Sequence, residues 1–380
     1  MSEKISIIKI DSYDQNDLRE AVISLLKPLG GMESFVQQGD RVLIKPNMLS
    51  AKTPDAAVTT HPALVKLVAE LVLETGATVM IGDSPGIGGF QRVAERSGIE
   101  RAAKESGAEL VPFDTTVEIP CTGTFKRITL ARAYWEADKI INLPKLKTHE
   151  MMTMTCAVKN LFGAVVGAEK AGWHLKAGAS QAQFARLLLE IYLLKRPIIN
   201  IVDCIVAMEG NGPASGDPIP LNALIAGVNP VAVDIVAGRM AGIPANLLHV
   251  ELEARRMGLN GTQMEDIELC GTPLQEFDGI HFRLPKGTDV QFGLPQFLKQ
   301  GLRHYLTARP VVDKKRCILC GACRDACPPG IITIANSALS IDTGRCIRCW
   351  CCRELCPHDA MEIEQSLLLK LISALKSRKS

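Results

Sequence analysis

The chain has 380 residues, 47 % of them hydrophobic, with 43 basic against 41 acidic side chains. That length and apolar share predict a globular chain of more than one domain, and the formal net charge of +2 excludes a global field that would draw nucleic acid or an acidic membrane surface. No apolar run reaches the roughly eighteen residues of a transmembrane segment, and the start MSEKISIIKIDSYDQ lacks a signal-peptide pattern, so a cytoplasmic protein is expected.

In chain order, SIIKI (5–9), RVLIKP (41–46), ATVMIGD (77–83), AELVPF (108–113), DKIINLP (138–144) and PIINIVD (197–203) are short β-rich runs, read as buried strands. HPALVKLVAELVLETG (61–76) and FQRVAERSGIERAAKESG (90–107) space their apolar residues as helices do, and each stops at a glycine. LNALIAG (221–227) and NPVAVDIVAGRMAG (229–242) continue the alternation as a strand and a helix opened by proline. The alternation predicts an α/β fold over residues 1–282, a mainly parallel sheet covered by helices.

The carboxyl ends of parallel strands share one side of a sheet, where open α/β folds bind ligands. IKPN places Lys45 and Asn47 after the second strand, IGDSPGIGG places Asp83 before a glycine-rich turn, INLPKLKTHE supplies Lys145, Lys147 and His149, and NIVD ends on Asp203. In MMTMTCAVKNLFGAV, Thr155, Lys159 and Asn160 interrupt an apolar stretch at helical spacing and need partners or a ligand. MEGNGPASGD and AVD add Glu209, Asn211, Asp217 and Asp234, the last inside an apolar helix face where a carboxylate must be paired or liganded. The glycine-rich turn lacks both GxGxxG and a Walker lysine, so a plain tight turn is its default.

From these segments His149, Lys145 and Lys147 are the candidate catalytic groups, His149 as proton donor because its ordinary pKa lies nearest neutrality. Lys45, Asn47, Asp83, Lys159, Asn160, Asp203, Glu209 and Asp234 are the candidate cofactor-binding set. Their lysines would hold an anionic substrate or cofactor, and their carboxylates would orient the lysines or bind a divalent metal. Plainer readings stand beside these: solvated lysines, a structural histidine, an exposed Gly/Pro loop.

Residues 283–311 read as a linker with a helix from about Pro295 to Leu306. They lead to a cysteine-rich domain over 312–364, and an amphipathic helix with a basic end closes the chain over 365–380. Nine of the thirteen cysteines lie between Cys317 and Cys356, which in a chain without a signal sequence reads as metal binding rather than cross-linking. CILCGACRDACP gives Cys317, Cys320, Cys323 and Cys327, and CIRCWCCRELCP gives Cys346, Cys349, Cys352 and Cys356. Both fit CxxCxxCxxxCP, the spacing of two-cluster bacterial ferredoxins, in which the fourth cysteine serves the other cluster. On that pattern Cys317, Cys320, Cys323 and Cys356 bind one 4Fe-4S cluster, and Cys346, Cys349, Cys352 and Cys327 bind a second. Structural zinc fits the duplicated eight-cysteine spacing poorly. Cys351 breaks the spacing and is expected to pack beside the second cluster as a non-ligand, with Trp350 as its hydrophobic shield.

KPN, THPALV, GDSPG, PKLKTH followed by VKNLFG, and MEGNGP followed by AVD resemble the bacterial and archaeal family catalogued as domain of unknown function 362. The resemblance covers nearly the whole chain. It implies an α/β domain followed by a small α+β two-cluster ferredoxin-like domain, in an iron–sulfur protein of the kind found in anaerobes. Two functions are expected on this basis. One is an iron–sulfur oxidoreductase, or its electron-transfer component, passing low-potential electrons to an anionic substrate, cofactor or redox partner protein. The other is a non-catalytic electron-delivery or cofactor-handling protein. A third reading, a metal-dependent transferase or hydrolase built on Asp83, Asp203 and Asp234, would leave the clusters structural. Substrate and oligomeric state are left open.

Overall fold

The computed structural model describes residues 2–86, 88–167, 169–177, 180–285 and 308–364. The predicted helices within 283–311 and 365–380 lie outside the described residues. The chain divides into two compact units, Met1–Lys170 with Gln181–Leu284, and Ala171–Ser180 with Pro285–Ser380.

Among the described residues the strands of the first unit run β1 Glu3–Lys9, β2 Arg41–Pro46, β3 Thr78–Ile81, β4 Glu109–Leu110, β5 Thr116–Pro120, β6 Arg127–Ala131, β7 Lys139–Leu143, β8 Lys145–His149, β9 Thr153–Thr155, β10 Ile199–Glu209, β11 Asp217–Gly227 and β12 Ile267–Gly271. Ten of them form one sheet in the order β12-β1-β11-β10-β7-β2-β3-β4, with β8 beside β10 and β9 beside β8. β2, β3, β4, β7, β8 and β10 pair in parallel, as do β1 and β12, whereas β11 is antiparallel to both β1 and β10. The sheet is therefore mainly parallel with an antiparallel insertion.

Strand parity explains the near-continuous apolar runs, because both faces are covered. Ile44, Ile141, Ile201 and Leu224 face one core with the helices Gln15–Leu26 and Pro62–Leu73. Val202, Cys204, Ala223 and Ile225 face the other, beneath the helix Pro230–Met240. After β4 the chain returns to the opposite side of β2 as β7. Such a reversal leaves a crevice beyond the carboxyl ends of the two strands.

Three elements differ from the sequence expectation. The helical run at 90–107 is two helices, Phe90–Arg96 and Ile99–Ser106, because Gly98 takes a left-handed φ of 76° between them. Thr155 lies on β9 rather than in a helix; the helix starts only at Ala157, where the Asp234 carboxylate accepts from the Ala157 and Val158 amides at 2.6 and 3.2 Å. β10 continues past Asp203 to Glu209, so the Gly/Pro segment after it is the loop of an antiparallel hairpin into β11.

The second unit contains β13 Arg309–Val312 paired with β16 Met361–Glu364, and β14 Ile332–Ala335 paired with β15 Ala338–Ile341. Asn336 and Ser337, both at positive φ, make the β14–β15 turn. Its small core is largely cysteine and isoleucine: Cys323, Ile331, Ile332, Cys346 and Cys352 with Met361.

Candidate functional site

The two cysteine loops wind alike. Leu319 and Gly321 in the first have φ of 58° and 84°, and Arg348 and Trp350 in the second have 58° and 64°. Left-handed turns at matching places fold each CxxCxxC run tightly, and the one-turn helices Ala322–Asp325 and Cys351–Glu354 then carry the chain away toward the fourth cysteine. The outcome is crossed: Cys317, Cys320, Cys323 and Cys356 line one void. Cys327, Cys346, Cys349 and Cys352 line another.

In each set four sulfurs line the walls of one space, which suits a polynuclear cluster. Backbone amides are already turned toward the sulfurs: the Arg348 N–H donates to Cys346 Sγ at 3.4 Å and the Ala360 N–H to Cys356 Sγ at 3.2 Å. Such bonds favour a more negative cluster. Cys351 lines neither void and is 4 % exposed. Its thiol donates to the Cys349 sulfur, which together with burial pushes the Cys351 pKa well above the ordinary thiol value. Trp350, 3 % exposed, walls the second void.

In the first unit the polar candidates divide between the two faces of the sheet. Lys45, Asn142 and Asn200 stand side by side across β2, β7 and β10, with Gly227 of β11 opposite Asn200. Lys45 Nζ is 2.9 Å from Asp83 Oδ1, and both groups are buried. Asp83 also accepts from the Met48 and Ser84 amides, each at 2.9 Å. Burial lowers the Lys45 pKa, with Asp83 opposing the shift. A side chain at Gly163 would collide with this pair, its Cβ falling 2.0 Å from Asp83 Oδ1 and 2.5 Å from Lys45 Nζ. Gly163→Ala is expected to destabilise the protein by about 1–3 kcal/mol, the range for overpacking, read as a lower urea midpoint.

Beside that pair runs a hydrogen-bonded chain with a single sense. Lys147 Nζ donates to Asn47 Oδ1 at 3.1 Å, Asn47 Nδ2 to Asn160 Oδ1 at 3.0 Å, and Asn160 Nδ2 to Asn142 Oδ1 at 2.8 Å. Asn142 Nδ2 then donates to Asn200 Oδ1 at 2.8 Å, and Asn200 Nδ2 to the Gly227 carbonyl at 3.0 Å. Every amide oxygen points toward the ammonium and every N–H away from it, so the bonds polarise one another in its favour. Asn142→Leu leaves Asn160 and Asn200 each short of a partner and is expected to cost about 1–3 kcal/mol, measurable by chemical denaturation.

The opposite face holds Lys145. Its Nζ lies 2.8 Å from Asp203 Oδ2 and donates to the Tyr13 hydroxyl at 3.1 Å; Tyr13 in turn donates to Asp203 Oδ1 at 2.6 Å. The His61 amide donates to Asp203 Oδ2 at 2.9 Å, and the His61 ring stacks on Tyr13 with centroids 3.6 Å apart. Burial first, then the Asp203 charge, raises the Tyr13 pKa, and burial lowers that of His61 to about 4.

The remaining candidates have other duties. His149 is 1 % exposed, and its Nδ1 accepts from the Met151 and Met152 amides at 3.0 and 3.1 Å, which holds the turn after β8. Glu209 is bound by the Arg283 side chain at 2.6 Å, and Asp217 by the same guanidinium. Lys159 is half-buried on the helix Ala157–Asn160. Asp83, Asp203 and Asp234 do not converge: two are ion-paired with different lysines and the third caps a helix, so the expected divalent site is not assembled. Lys45 and Lys145 likewise lie on opposite faces and do not form one anion clamp.

Burial raises the Asp234 pKa to about 7 despite the bonds it accepts, and burial together with Asp234 raises Glu251 to about 8. A carboxyl raised on folding binds protons that the unfolded chain has already lost. These groups therefore make stability fall as pH rises from about 4 toward 8, and Glu251→Gln should flatten that slope in urea midpoints taken across this window.

Tyr13, His61, Asn142, Asn200 and Gly163 are not among the candidates that the sequence alone suggests. THPALV contains His61, and the only local signal for Asn142 is an amide within an otherwise apolar strand.

Known proteins match this chain along the same division. The model for the domain of unknown function DUF362 matches residues 42–239, and that for a 4Fe-4S dicluster domain matches residues 309–357. A thylakoid-associated protein, sll1697, of Synechocystis sp. is 36 % identical over 306 residues, covering 80 % of this chain and 95 % of its own. The lactate racemase apoprotein from Thermoanaerobacterium thermosaccharolyticum aligns with a TM-score of 0.42 at 11 % identity over 63 % of this chain, which spans only 57 % of that one. Among the described residues no helix is long and apolar enough to cross a membrane. The chain belongs to the DUF362 family and carries a 4Fe-4S dicluster domain at its C-terminal side.

Proposed function

We propose that this protein is an iron–sulfur electron-transfer protein, acting as an oxidoreductase or as the electron-carrying component of one. Eight cysteines would hold two 4Fe-4S clusters. The reading rests on one observation, the separation of those cysteines into two voids of four, each built from three cysteines of one loop and one of the other. When bound, such a cluster takes up and releases a single electron at low potential. The chain's own residues supply the thiolates, bury three of the second four behind Trp350, and direct amide N–H groups at the sulfurs.

The α/β unit is the proposed acceptor side. Its chain of aligned amides holds the buried Lys147 near the carboxyl ends of β2 and β7, where an anionic substrate or cofactor is the proposed ligand. Lys45 and Lys145, each ion-paired with its own buried aspartate, are assigned a structural duty. A metal-dependent transferase or hydrolase finds less support, because the aspartates it needs are spent on lysines and amides.

Reductive titration of the anaerobically purified full chain tests the proposal. Uptake of about two electrons, one per cluster, with bleaching of broad visible absorbance is expected. A chain that binds no iron and sulfide after reconstitution would overturn it.

A further inference from the structure

The two cysteine sets differ in their access to solvent. In the first set Cys320 is exposed, Cys317 and Cys356 are half-buried and only Cys323 is buried. In the second, Cys327 is half-buried and Cys346, Cys349 and Cys352 are buried, behind Trp350. Ile318 lines the first void yet leaves 64 % of its surface exposed, which gives that set an apolar outer face.

Charge is arranged beside this face. The turn before it is closed by the Cys317 N–H donating to the Asp313 carbonyl at 3.0 Å, which sets the exposed Lys314 and Lys315 next to the patch. Neighbouring charges are matched: Arg316 pairs with Asp313 and Glu362, and Arg324 with Asp325. Lys314 and Lys315 make no ion pair among the described residues. An apolar centre with a charged rim suits a transient protein interface, and uncompensated charge of one sign accelerates docking of a partner of the other.

Resting on the two-cluster reading, we propose that the Ile318–Cys320 face, rimmed by Lys314 and Lys315, is the docking port for an acidic one-electron carrier protein. The cluster of Cys317, Cys320, Cys323 and Cys356 is then the outer relay, and that of Cys327, Cys346, Cys349 and Cys352 the inner one. In the transfer one electron leaves the reduced carrier, which is oxidised, and enters the outer cluster, which is reduced; no bond or proton moves.

The test is stopped-flow reduction of the full chain, with iron and sulfide counted in every sample, by a reduced acidic flavodoxin across a salt series. The rate constant of the unaltered protein should fall as salt rises. The double variant K314E/K315E should be slower by about tenfold or more at low salt and should lose the salt dependence. Ile318→Asp should slow the reaction at every salt concentration, whereas Arg345→Glu, an exposed site on the other loop, should leave the rate within about twofold. Carbodiimide cross-linking of the same pair, mapped by mass spectrometry, should join carrier carboxylates to Lys314 or Lys315, a readout that needs no electron transfer. An unchanged rate in K314E/K315E, or a loss carried by Arg345→Glu, would overturn the port. Absence of iron in the unaltered chain would instead overturn the two-cluster reading, while the cross-links still report on the surface.

Discussion

Cys352→Ala is expected to lose one cluster, about four of about eight irons per chain, while Cys351→Ala keeps them all. The two residues are adjacent and both buried, so exposure does not distinguish them. Position does: Cys352 lines the void shared with Cys327, Cys346 and Cys349, whereas Cys351 turns its thiol to the Cys349 sulfur. An alanine at Cys351 removes one weak hydrogen bond and a small soft side chain. An alanine at Cys352 removes one corner of a four-cornered site. Iron and acid-labile sulfide per chain after anaerobic purification decide the matter, and iron loss in Cys351→Ala would show that the ligand assignment is wrong.

Asp203→Ala is expected to destabilise the α/β unit by about 3–5 kcal/mol, the range for removing one partner of a buried ion pair. The side chains of Lys145 and Asp203 are 1 % and 0 % exposed, so neither can turn to water. With the carboxylate gone, a buried ammonium keeps only the Tyr13 hydroxyl as a near partner, and the Tyr13 O–H and the His61 amide each lose an acceptor. The contrast is Asp217→Ala, which breaks an ion pair whose partners are both more than 60 % exposed. Such a pair contributes about 0–1 kcal/mol. Urea unfolding of the two variants should separate them clearly; equal midpoints would mean that the buried pair is replaced by water.

The cysteine domain is the most legible part of the sequence. Ligand spacing there is set by the covalent chain, so the repeat, read with the two-cluster ferredoxin spacing it fits, already yields the crossed assignment proposed here. The strand ends are legible too, since Lys45, Asp83, Lys145 and Asp203 all lie at strand termini, just beyond them or, for Asp203, within a strand longer than its apolar run. Their grouping is not. Lys45 alternates with Val42 and Ile44 on β2 and so turns away from the core they face, whereas Lys145 keeps the parity of Ile141 and Leu143, which face that core, so the pleat sends two similar lysines to opposite sides of one sheet. Tyr13 and His61 leave no trace in the local pattern because they reach Asp203 from 190 and 142 positions away in the chain, a closeness that only folding creates. The β5–β6 hairpin is hidden for a smaller reason: TVEIP and RITLA alternate polar and apolar residues, but each alternation lasts only five residues.

Crossing of ligands between the two loops is the central claim, and one measurement reaches it most directly. Native mass spectrometry under anaerobic conditions is applied to two double variants, C327A/C352A and C323A/C327A. Crossed ligation puts Cys327 and Cys352 on the same cluster and Cys323 and Cys327 on different ones. The first variant should therefore retain one intact 4Fe-4S cluster and the second should retain none. The reverse pattern, with the first bare and the second still carrying a cluster, would contradict it.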